Sequence, residues 1–104
     1  DFGANVKFLI GQKKKYKKIN IGNLKTNISN KKIKQSVNGN TNTVFINPLN
    51  SLKFVLNKIK KDKINLEKDF WVFTGSTVGV VPINGNGLYT GKIDKLGVAK
   101  AIIN

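Results

Sequence analysis

Residues 48–82 read PLNSLKFVLNKIKKDKINLEKDFWVFTGSTVGVVP, and the order of patterns in this stretch decides the fold. Asn47 stands just before it as a capping side chain. Pro48 suits a first helical position, where its missing N–H is not needed. Leu49, Leu52, Leu56 and Ile59 recur at helical spacing with Val55 beside them, while Lys53, Asn57, Lys58 and Lys60 fall outside the stripe. The spacing predicts one amphipathic helix, packed by that stripe and fading near Lys61-Asp62-Lys63. A linker over 64–69 leads to Phe70–Phe73, an apolar run expected to be a buried strand, with Trp71 in the core or at a subunit interface. That strand enters Thr74-Gly75-Ser76-Thr77-Val78-Gly79. Glycine spacing there exposes backbone N–H groups and hydroxyls, which suits recognition of a small carboxylate or phosphate.

Working outward, residues 6–10 (VKFLI) form a short apolar run closed by Gly11 and are expected to be a strand. Leu24, Thr26 and Ile28 alternate with Lys25, Asn27 and Ser29. Ile33, Gln35 and Val37 alternate with Lys32, Lys34 and Ser36, so a hairpin turning at Asn30-Lys31 is predicted. Asn38-Gly39-Asn40 reads as a turn and Thr43–Ile46 as a further strand. Past Pro82, the turn 84–87 precedes a strand over 88–93. Asp94-Lys95-Leu96-Gly97 turns the chain back into a last strand over 98–103. The expected class is mixed β with one main α-helix, about seven short strands in a single domain spanning 1–104.

Composition narrows the chemistry. The chain lacks cysteine and histidine, which removes disulfides, thiolate or imidazole metal sites and the Ser-His-Asp triad. No apolar run approaches the roughly 20 residues of a membrane-spanning helix. The formal charge is +14, and every basic residue is lysine. A dedicated nucleic-acid reader would be expected to use arginine, whose planar fork grips phosphate and guanine in two places. Solvated lysines are therefore the favoured reading. Lys13-Lys14-Lys15-Tyr16-Lys17-Lys18 is the best local candidate for polyanion binding. The chain opens on Asp1 and contains no methionine, so a processed product or a piece of a longer chain is expected.

Pro48-Leu49-Asn50-Ser51 on a helix, Thr74-Gly75-Ser76 ending a strand, Pro82-Ile83 and Leu96-Gly97 before a last strand stand in an ordered series. In order and spacing it resembles the C-terminal part of the fumarylacetoacetate hydrolase superfamily, closest to the 2-keto-4-pentenoate hydratase and 4-oxalocrotonate decarboxylase branch. The likeness spans essentially all 104 residues and is strongest over 47–97. It implies a partial β-roll or sandwich forming the C-terminal portion of a larger catalytic domain. It also implies a cytoplasmic lyase of aromatic-compound breakdown acting on short 2-oxo or 2-hydroxydienoic acids. An acylpyruvate-type C–C hydrolase of the same superfamily is the neighbouring possibility, and a small basic nucleic-acid-binding protein is the alternative from another class.

By the same resemblance, Thr74, Gly75 and Ser76 hold substrate, Asn5 lines the site, and Leu49 lies near it. Mg²⁺ or Mn²⁺ would be held by three carboxylates, two of them in a Glu-x-Glu. That motif is missing here, and the acids are Asp1, Asp62, Glu67, Asp69 and Asp94. The family's metal ligands lie upstream of the matched region, so this chain alone is expected to bind no metal. An upstream segment or a second copy is expected to complete the sheet. Phe2 replaces the usual Asn, Ile46-Asn47 replaces Gly-His, and Asn86-Gly87 replaces a Gly-Asp turn.

Overall fold

The computed structural model describes residues 7–15, 17–66 and 69–104. Its framework is an open four-stranded antiparallel sheet in the order β2-β1-β3-β4. The strands are β1 (Lys25–Asn30), β2 (Gln35–Asn40), β3 (Gly87–Ile93) and β4 (Gly97–Ile103), with one helix, α1 (Pro48–Lys61), between β2 and β3. The mixed class with a single helix thus stands at this level, with four strands among the described residues rather than seven.

The alternation in β1 works as expected. Leu24 and Thr26 are buried and Lys25 is exposed. The hairpin register sets Ile28 opposite Val37 and Asn30 opposite Gln35. The turn comes later than predicted: Lys31–Ile33 form a 3₁₀ turn, and Lys34 takes a left-handed φ of 54° before β2 starts. Asn38-Gly39-Asn40 consequently lies inside β2. Asn27 Nδ2 donates to Asn38 Oδ1 at 2.8 Å, and Asn40 Oδ1 accepts from the Asn42 N–H at 2.9 Å. Side chains that favour turns are used here as cross-strand and capping partners.

Thr43–Ile46 is no strand either. Thr41–Thr43 form a second 3₁₀ turn, and Phe45 and Ile46 both take positive φ, 49° and 69°. Asn47 then caps α1 as foreseen, its Oδ1 accepting from the Leu49 N–H at 2.9 Å. The stripe of α1 does not pack as expected. No residue of the helix is buried, and Leu49 and Leu56 stay exposed. Lys58, Lys60 and Lys61 occupy the last turn, where cations complement the helix dipole.

The expected strands at 6–10 and 70–73 are irregular where described, and Phe70, Trp71 and Phe73 are exposed. An apolar run becomes a strand only beside a backbone edge it can pair with. These two runs instead pack on each other, with the Phe8 and Phe73 rings stacked at 4.2 Å. Among the described residues the core is small, made of Leu24, Val44 and Tyr89 with three polar side chains, Thr26, Asn30 and Thr41. Each polar member is bonded. Thr41 Oγ1 accepts from the Leu24 N–H at 2.8 Å. Asn30 Nδ2 donates to the Asn86 carbonyl at 3.0 Å, while its Oδ1 accepts from the Lys32 N–H at 3.1 Å.

Candidate functional site

Antiparallel pairing sets directly opposed side chains on the same face of a sheet. Val37, Ile28, Gly91 and Ala99 therefore form one row across all four strands. Gly39, Thr26, Ile93 and Gly97 form the next row of the same, inner face. The segment that contains the Thr74–Gly79 bend is laid over this face.

Gly39 makes that approach possible. A Cβ built there would collide with the Thr77 carbonyl oxygen, so the backbone of the bend rests directly on β2. Gly75 and Gly79 carry φ of 139° and 73°, conformations that L side chains resist, and these values let the bend fold back. Ser76 closes it: its hydroxyl donates to the Gly79 carbonyl at 2.7 Å and accepts from the Val78 N–H at 3.3 Å. Thr77 then anchors the bend to the sheet by donating from Oγ1 to Thr26 Oγ1 at 2.8 Å.

Beside this anchor lies an open cleft of about 630 Å³. Its floor is the inner sheet face at Thr26, Ile28, Gly91 and Ala99. Thr77, Val78 and Trp71 make one wall, and the 9–14 segment makes the other. Gly11 sits against β4, where an added Cβ would stand 2.8 Å from the Val98 carbonyl oxygen. Lys13 and Lys14 extend from that wall, so an apolar floor meets two ammonium groups. Such a cleft can take a small molecule with a flat apolar body and an anionic end.

None of the described sequence-derived site residues lines the cleft. Thr74, Gly75 and Ser76 form the first half of the bend whose second half, Thr77 and Val78, lines the cleft. Leu49 lies in the first turn of α1 and does not line the cleft. Asn5 falls outside the described residues. Sequence reading missed Thr26 and Gly39 because their roles depend on a partner about fifty and nearly forty residues away in the chain, respectively. Lys13 and Lys14 were noticed, but as part of a polyanion-binding run.

The described residues do not form a metal cradle: no three of His, Cys, Asp or Glu come together. Asp62 pairs with Lys58 at 3.5 Å, and Asp94 sits in the β3–β4 turn. Among the described residues no helix is long and apolar enough to cross a membrane. Compared with protein-family models, curated proteins and solved structures, the chain matches none.

Proposed function

We propose that this chain is the C-terminal part of a cytoplasmic metal-dependent lyase, a hydratase or decarboxylase acting on short 2-oxo or 2-hydroxydienoic acids such as 2-hydroxypenta-2,4-dienoate. The observation that carries the reading is the Thr74–Gly79 bend, locked to Thr26 through Thr77 and contributing Thr77 and Val78 to one wall of a cleft with a lysine rim. The ligand's carboxylate would meet Lys13 or Lys14, and its planar diene would lie on Ile28 and against Trp71. Ser76 acts as a positioning residue that holds the bend in shape.

In this reading, as the resemblance implies, the Mg²⁺ or Mn²⁺ ligands lie upstream of these 104 residues; among the described residues no three of His, Cys, Asp or Glu come together. No catalytic step is therefore assigned to the residues of this chain. An upstream segment or a second copy would cover the exposed Phe70, Trp71 and Phe73.

The test uses Trp71, the single tryptophan, as a reporter. Titration with a short 2-oxo acid should quench it saturably. Joined to the upstream segment that supplies the metal ligands and given Mg²⁺, the chain should consume 2-hydroxypenta-2,4-dienoate. Ser76→Ala and Thr77→Val should each weaken binding about three- to tenfold by loosening the wall. No quenching together with no turnover, or a Ser76→Ala variant that leaves both untouched, overturns the proposal.

One observation favours a second reading, nonspecific polyanion binding: Lys13, Lys14, Lys15, Lys17 and Lys18 are all exposed. Nucleic-acid affinity that falls steeply with salt and vanishes on neutralising these lysines would establish it.

A further inference from the structure

The outer face of the sheet carries a different chemistry from the inner one. Ser36 lies opposite Ser29, Ser29 opposite Thr90, and Thr90 opposite Lys100, so three hydroxyls and an ammonium form one row across four strands. Lys31 and Lys32 rise from the 3₁₀ turn at the end of β1. Between them lies a hollow of about 440 Å³, where Ser29, Thr90, Lys31, Lys32 and Lys100 surround an apolar patch of Leu88 and Val98.

We propose that this hollow binds a compact polyphosphate, a ligand carrying a pyrophosphate or longer phosphate chain. Three cations share one depression, and none of the described carboxylates lines it. Asp62 is paired with Lys58 on α1, Asp94 lies in the β3–β4 turn, and Asp69 lines a separate hollow with Phe70. A multiply charged anion relieves the mutual repulsion of three ammonium groups, whereas a single carboxylate offsets only part of it. Lys32 is held at the rim by donating from Nζ to Asn86 Oδ1 at 2.8 Å, which leaves it further N–H groups for a ligand. The Ser29 and Thr90 hydroxyls add short donors on the floor.

The same face argues against a single-stranded nucleic acid. Proteins that bind such strands stack bases on aromatic side chains. The outer positions of β3 and β4 carry Leu88, Val98 and Ile102, with no ring among them. The site lies on the face opposite the cleft and does not depend on the lyase reading.

The experiment titrates the protein with inorganic pyrophosphate and tripolyphosphate at low salt, following heat and backbone amide shifts. Shifts should concentrate at Ser29, Thr90 and Lys100. Lys100→Gln should weaken binding about fivefold or more, and the double variant Lys31→Gln/Lys32→Gln by about tenfold or more. Lys53→Gln on α1, the same charge change elsewhere, should stay within about twofold. Thr90→Val should weaken binding while Thr90→Ser restores it, which separates a lost donor from a lost fold. Shifts spread evenly over all lysines, equal losses for Lys100→Gln and Lys53→Gln, or tighter binding of a short single-stranded RNA at the same residues would each overturn the site.

Discussion

Gly39→Ala is the sharpest test of the architecture. The added methyl group would stand against the Thr77 carbonyl oxygen, a backbone atom that cannot turn aside. Either β2 bends or the bend lifts from the sheet. Overpacking of this kind costs about 1–3 kcal/mol. Lifting the bend also breaks the Thr77–Thr26 hydrogen bond, whose loss at a buried Thr26 adds about 1 kcal/mol. Replacing glycine returns about 0.4–1 kcal/mol by restricting the unfolded chain. The net expectation is a loss of about 2 kcal/mol, a large share of the stability of a small domain.

Gly91→Ala is the matched control. It lies on the same inner face, but its nearest neighbour outside the adjacent chain is the Ala99 carbonyl oxygen at 3.8 Å, an ordinary contact. Its stability should stay within about 0.5 kcal/mol of the parent. Urea unfolding followed by Trp71 fluorescence should place the Gly39→Ala midpoint about 1 M or more below the other two proteins. Amide shifts should localise the change to Thr26 and the 74–79 bend. A Gly39→Ala protein as stable as the parent, or a Gly91→Ala protein equally weakened, refutes the claim that the bend rests on β2.

Other buried polar groups give further expectations. Asn30→Ala removes both the bond to the Asn86 carbonyl and the cap on the Lys32 N–H from a side chain that is only 1% exposed, and should cost about 2–3 kcal/mol by chemical denaturation. Thr41→Val strands the Leu24 N–H inside the core and should cost about 1–3 kcal/mol, with accelerated hydrogen exchange at Leu24. Asn47→Ala uncaps α1 and should cost about 1 kcal/mol, read as lost helical circular dichroism at intermediate denaturant. Ile46→Asn should be neutral or stabilising by about 0.5–1 kcal/mol, because a β-branched residue is strained at a φ of 69° and asparagine is not.

The elements legible from residues alone are those set by neighbours in the chain. The Asn47-Pro48 start of α1 needs only its own first turn to be satisfied, and it formed as read. The alternation of Leu24, Thr26 and Ile28 needs only the pleat, and the turn at 94–97 only its local dihedrals. What tertiary structure decided is what each local pattern was set against. Gly39 reads as a turn residue until the Thr77 backbone arrives above it. Phe70–Phe73 reads as a strand, yet the run stays irregular and stacks Phe73 on Phe8 instead of pairing with either edge strand, β2 or β4. The Thr26–Thr77 hydrogen bond exists only through tertiary contact, and the Ser36-Ser29-Thr90-Lys100 row of the outer face only through strand register, relations between distant residues that no single stretch of chain contains.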